Sequence, residues 1–152
     1  MSGLNLPPSE LKTKIENGKT LVFDRLRKQY VRLTPEEYVR QHFIHFLIEH
    51  RNFPEGLLAN EVEITLGNLK KRCDTVVYNR TLTPVVIIEY KSPKISISQT
   101  VFDQIARYNM SLKVPWLIIS NGLQHFCCKI DFENREYRFE KDIPCYEELG
   151  VF

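Results

Sequence analysis

A mixed α/β sheet with helices on its faces is the architecture this sequence predicts, and three observations predict it. Apolar residues recur at helical spacing in two stretches, they alternate with polar residues in several others, and the two kinds of stretch interleave. The order reads helix, three strands, helix, then two or three strands.

Each element has its own local reason. Residues 1–20 read as an N-terminal arm, with one or two helical turns expected between Ser9 and Asn17, and residues 21–152 read as a single domain. Leu21–Phe23 and Gln29–Leu33 form short strands around a basic turn, Asp24 to Lys28. Thr34-Pro35-Glu36-Glu37 starts a helix: Thr34 caps, Pro35 takes the first helical position, and Glu37 stands where a capping box puts its carboxylate. That helix runs to about His50, with Val39, Phe43, Phe46 and Leu47 on one face, and Pro54 follows its end. Glu61–Leu66 and Arg72–Tyr78 alternate around the hairpin signal Gly67-Asn68. Val85 to Lys91 carries a Val-Val-Ile-Ile run suited to a strand buried on both faces, and Ser92-Pro93 breaks it. A second helix spans about Ser98 to Leu112. Trp116–Ser120 and Gln124–Ile130 pair around Asn121-Gly122, and Arg135–Phe139 adds an edge strand.

Composition excludes several classes. The 152 residues are 43% hydrophobic and 26% charged, as in an ordinary globular domain. The longest apolar run, Val85 to Ile88, is far short of the roughly 18 residues of a membrane span. No basic start followed by an apolar stretch marks a signal peptide, so a cytoplasmic location with reduced thiols is expected for Cys73, Cys127, Cys128 and Cys145. A net charge of +2 makes any nucleic-acid contact a matter of local patches. Gly18-Lys19-Thr20 lacks the earlier glycine of a phosphate-binding loop, because position 13 is threonine. His42, His45 and His50 lack metal-protease spacing and read as packing and surface, and His125 has no oriented partner for thiol chemistry.

One constellation carries chemistry. Asp74 opens the second core strand, while Glu89 and Lys91 lie two apart at the end of the third and so share a face. Strand pairing can bring Asp74 beside Glu89. Two carboxylates at adjoining strand ends form a hard-oxygen site for Mg²⁺, or Mn²⁺ in its place, with the Tyr90 carbonyl as a further ligand and water completing the shell. A lysine one pleat away offsets the negative charge that builds on a phosphate. A lone E-x-K is an ordinary surface pair, but here it ends an interior strand. Burying both carboxylates without a cation costs several kcal/mol.

Arg72-Cys73-Asp74, followed after fourteen residues by Glu89-Tyr90-Lys91-Ser92-Pro93, resembles the bipartite signature of the PD-(D/E)XK nuclease superfamily. Thr34 to Gln41 is similar to the opening helix of one branch, the N-terminal nuclease domain of type I restriction enzyme R subunits, including its stand-alone form. Gln104-Ile105-Ala106-Arg107-Tyr108 resembles the Q-x-x-x-Y element of that branch and of RecB-like nucleases. The resemblance spans about Leu21 to Ile130. It implies a restriction-endonuclease-like αβββαβ core and Mg²⁺-dependent hydrolysis of DNA phosphodiester bonds. It assigns Asp74 and Glu89 to the metal and Lys91 to positioning the attacking water. A first-helix glutamate is expected near the metal; Glu36 is preferred because it shares the face of Val39, Arg40 and Phe43, with Glu37 given to the capping box. Gln104 and Tyr108 are expected to orient the site or touch substrate.

Arg25, Arg27, Lys28, Arg40, Lys70, Lys71, Arg72 and Arg107 are candidates for phosphate contacts around that centre. The implied partners are DNA and other restriction-modification subunits or a helicase, with no membrane. The alternatives are a module of the same fold that binds DNA or a partner without cutting, and an accessory subunit of a larger restriction complex.

Overall fold

A computed structural model describes residues 3–150. Three strands come first: β1 (Thr13–Glu16), β2 (Lys19–Asp24) and β3 (Gln29–Arg32) make a small antiparallel sheet. The helical turns expected between Ser9 and Asn17 are therefore replaced by a strand. Asn17 and Gly18 both take positive φ, and that tight turn folds β1 back onto β2 as a hairpin. The expected arm thus contributes its last residues to regular structure.

Helix α1 (Pro35–His50) starts as the sequence requires, with Thr34 Oγ1 accepting from the Glu37 backbone N–H at 3.1 Å. The strands β4 (Leu58–Leu66), β5 (Leu69–Tyr78) and β6 (Pro84–Tyr90) follow, then α2 (Gln99–Leu112), β7 (Trp116–Ser120), β8 (His125–Asp131) and β9 (Glu136–Glu140). Ser98 caps α2 through its hydroxyl. The six later strands form one sheet in the order β4-β5-β6-β7-β8-β9. Only the β6–β7 pair is parallel, as a strand–helix–strand crossover through α2 demands. The core order is α1-β4-β5-β6-α2-β7, the αβββαβ arrangement expected, with β8 and β9 extending the sheet.

Alternation along the strands builds two cores. Val86, Ile88 and Tyr90 of β6 and Ile118 of β7 join Val39, Phe43 and Leu47 of α1. Ile87 faces the other way with Val76 and Leu112, while Leu117, Ile119 and Cys128 pack against Phe102 and Ala106 of α2. The adjacent Cys127 and Cys128 divide between the two faces, as period-2 geometry requires. Phe43 is wholly buried, and a side chain of that size contributes about 1.5–3 kcal/mol by burial alone.

Polar bonds tie the small sheet to the core. Asp24, fully buried, accepts from the backbone N–H groups of Leu26 and Arg27, from Arg27 Nε and from Asn60 Nδ2. Its carboxyl lies below the usual range: burial pushes it up, but the hydrogen bonds from Arg27 and Asn60 outweigh that. Residues before β1 reach the β7–β8 turn, where the Asn5 N–H donates to the Gly122 carbonyl and the Asn5 carbonyl meets His125 Nε2. No described helix is long and apolar enough to cross a membrane.

Candidate functional site

The site forms where β5 and β6 part. Their ladder runs from Tyr78 opposite Pro84 to Thr75 opposite Ile88 and ends there. Instead of another backbone rung, the Tyr90 N–H donates to Asp74 Oδ2 at 2.9 Å. Beyond that point β5 continues, paired only with β4, to the hairpin turn at Gly67-Asn68.

Across from Asp74 on β4 lies Glu61, whose φ of 57° places a non-glycine residue in the left-handed region. Such a conformation is costly and concentrates at functional positions. The bend has a visible effect on β5. Strict alternation would put Cys73 on the same face as Thr75, yet Cys73 packs with Val76 and Ile87 on the α2 side. Thr75 points toward α1, where its hydroxyl donates to Asn60 Oδ1 and accepts from the Tyr90 hydroxyl. The side chains from Asp74 back to Lys71 are thereby re-aimed around the end of β6.

The Asp74 carboxyl is near enough to that of Glu89 to act on it by charge and by hydrogen bonding. Glu89 is 8% exposed, and its carboxyl is pushed above the ordinary range. Burial is the main cause and the neighbouring Asp74 carboxyl the next, opposed by the Lys71 ammonium. Lys71 Nζ pairs with Glu89 Oε1. Lys91 follows the last residue of β6; its backbone N–H donates to the Ser120 carbonyl, and its side chain has no ion pair among the described residues.

On the α1 side, Asp74 lines a cavity of about 200 Å³ with Glu36, Glu37, Arg40, Glu61 and Tyr90. Glu36 is exposed there. The capping-box role expected for the Glu37 carboxylate is corrected: only its backbone N–H meets Thr34. Its carboxylate accepts from Arg40 at 2.6 and 2.9 Å and from Gln41 at 2.9 Å. The guanidinium is the stronger partner, so the side chain turns inward.

Arg40 also departs from expectation. It is 6% exposed, and besides Glu37 it donates to Glu61 and to the Asp74 carbonyl. With its donors committed inside the protein, it supports the Asp74 backbone instead of reaching for a phosphate. Arg25, Arg27 and Lys28 are likewise held by Glu49, Glu55, Asp24 and Glu37, so the basic turn is neutralised by its own neighbours. Arg72 is exposed and donates to Glu61 at 2.9 Å.

Gln104 and Tyr108 share an exposed groove on α2 with Leu69 and Arg107. The Tyr108 hydroxyl reaches the Lys70 carbonyl at 3.5 Å, and its ring faces Lys71 Nζ at 5.6 Å. Tyr108 is thus one side chain removed from Glu89, with Lys71 between them.

Among the described residues, no three His, Cys, Asp or Glu side chains cluster as a metal cage. The donor set is the Asp74–Glu89 pair. Mg²⁺ keeps most of its waters and commonly takes only one or two carboxylates, so this pair suits a hard divalent cation. The buried Glu89 carboxyl, disfavoured as an anion beside the half-buried Asp74, also marks a place where positive charge is stabilised.

A family model described as type I restriction enzyme R protein N terminus (HSDR_N) matches residues 35–144. The chain belongs to that family. The R-protein N-terminus match starts at the first residue of α1 and ends beyond β9, so it covers the whole six-stranded sheet. In fold, the chain is similar to the fragment structure of a protein described as an HsdR subunit of a type I restriction enzyme from Vibrio vulnificus YJ016. The TM-score is 0.56 at 19% identity, over 78% of this chain and 25% of that one. The chain therefore spans a quarter of the length of that structure. No curated protein matches the chain.

Glu61 at the site escaped the sequence reading, and Lys71, expected there among the phosphate contacts, pairs with Glu89 instead. Glu61 was legible: counting five back from Leu66 and five on from Leu69 sets it opposite Asp74. Lys71 carried no such signal, because a regular strand would turn it away from the Asp74 face.

Proposed function

We propose that this chain is a divalent-metal-dependent nuclease domain that hydrolyses DNA phosphodiester bonds. The observation that carries the reading is the convergence of the Asp74 and Glu89 carboxyls where β5 and β6 separate, with Lys91 two residues beyond Glu89. Asp74, Glu89 and the Tyr90 carbonyl would hold Mg²⁺, with Mn²⁺ as substitute. When bound, the cation supplies Lewis-acid polarisation of the phosphate and lowers the pKa of water.

The chain's own residues do the rest. Asp74 is held by the Tyr90 N–H through its side chain and by Arg40 through its carbonyl, so it enters the reaction already oriented. Lys91, whose side chain has no ion pair among the described residues, is free to orient the attacking water and to stabilise charge growing on the phosphate. Glu36, exposed in the same cavity as Asp74, is the first-helix acid of this reading. The exposed Gln104, Arg107 and Tyr108 extend the site along α2 as a path for the DNA backbone. As a domain of the R-protein type, its partners are DNA and the remaining parts of a restriction-modification assembly, including a helicase.

Incubating the purified chain with plasmid, linear duplex and single-stranded DNA in Mg²⁺ or Mn²⁺ tests this. Cleavage is expected, and it should disappear in Asp74→Ala and Lys91→Ala with the circular dichroism spectrum preserved. DNA binding without cleavage on every substrate overturns the hydrolytic reading in favour of a non-cutting module.

A further inference from the structure

The ammonium that meets Glu89 does not come from the E-x-K run. It comes from Lys71, three residues before Asp74, whose side chain is 18% exposed against 11% for that of Glu89. Lys71 Nζ lies between Glu89 Oε1 and the face of Tyr108, so it has two attractive surfaces there. The Asp74 carboxyl is a second charged neighbour of Glu89. A monovalent cation therefore already sits against Glu89, one member of the carboxyl pair.

We propose that Lys71 is a built-in competitor for the divalent cation, which gains Glu89 by driving the Lys71 ammonium off it. This rests on the reading of Asp74 and Glu89 as the metal-binding pair. With both carboxylates ionised, the pair carries two negative charges, and Lys71 cancels one. A divalent cation entering beside the ammonium meets like charge in a partly buried place, where water and salt screen weakly. The backbone permits the exchange. Lys71 lies on the part of β5 that is paired only with β4, so its side chain can swing away without opening a β5–β6 rung.

Mn²⁺ binding by the full chain, measured by isothermal titration calorimetry and by Mn²⁺ electron paramagnetic resonance at about pH 8, tests the inference well above the ordinary carboxylate range. Lys71→Met and Lys71→Gln should each bind Mn²⁺ about tenfold more tightly than the wild type, because the opposing charge is gone. Lys71→Gln keeps a hydrogen-bond donor toward Glu89 and serves if the methionine variant does not fold. Lys71→Arg, which keeps the charge, and Lys19→Met, which removes an exposed charge on β2, should both match the wild type. The gain should vanish when Asp74→Asn is added.

Equal or weaker binding by both neutral variants, with the wild type binding Mn²⁺ through Asp74, overturns the role of Lys71 and leaves the metal site standing. A gain equalled by Lys19→Met also overturns it. No Mn²⁺ binding by any variant removes both the competitor and the site.

Discussion

The backbone N–H of Tyr90 donates to Asp74 Oδ2 at 2.9 Å, which ties one carboxylate of the proposed site to the strand that carries the other. The side-chain oxygen takes the donor that a further rung of the β5–β6 ladder would have used. Asp74 is therefore at once the end of the β5–β6 ladder and a candidate ligand.

This dual role separates two substitutions. Asp74→Asn keeps an oxygen for the Tyr90 N–H and should remain within about 1 kcal/mol of the wild type in urea unfolding, whereas Asp74→Ala should lose about 1–3 kcal/mol. Both should lose divalent-metal binding. Equal stability losses would show that the Tyr90 bond contributes nothing.

Much of this was legible in the sequence. Thr34-Pro35 and Ser98 announced both helix starts, and Gly67-Asn68 announced the hairpin that sets the β4–β5 register. The six-stranded sheet follows from period-2 patterning. The re-aiming of β5 was not legible, because Glu61 adopts a conformation that its residue type does not announce. Charge was the other blind spot. Arginines near a site read alike in sequence, and only burial separates Arg40, held by Glu37 and Glu61, from the exposed Arg107.

Arg40 should be among the costliest residues to remove. Arg40→Met leaves Glu37, only 7% exposed, without its main partner, and breaking a buried pair from one side costs about 3–5 kcal/mol. The double variant Glu37→Met/Arg40→Met should recover most of that loss. Thermal and urea unfolding of both variants checks it, and a double variant less stable than the single would refute it.

Acid stability should depend on Asp24. Its folded carboxyl lies below the ordinary value of 3.8, so the unfolded chain takes up the proton first. The stabilisation is present above 3.8 and is lost as pH falls from there through the folded value. Asp24→Asn should lower stability at neutral pH and flatten the stability profile below about pH 4. An unchanged acid limb in denaturant melts would contradict this.

Gly122 should resist substitution. It sits at φ +87°, and a Cβ there would lie 2.8 Å from Leu4 Cδ2. Gly122→Ala should cost more than about 1 kcal/mol in thermal unfolding. Adding Leu4→Ala should return only the part due to contact, leaving the backbone part.

If DNA lies along α2 and the β4–β5 hairpin, removing a single charge at exposed Lys70 or Arg107 should weaken binding across all sequences alike. Each should lower the slope of log affinity against log salt by about one. Fluorescence anisotropy at several salt concentrations reads this directly, and unchanged slopes would place the DNA elsewhere.

The outer half of the β4–β5 hairpin has no rung to β6. Its tip, Leu66 to Leu69, is therefore a ribbon that can be lengthened, shortened or exchanged while the spacing between Asp74 and Glu89 stays fixed by rungs nearer its base. A molecule built this way can diversify what it reaches for at one end of a strand without retuning the acids at the other.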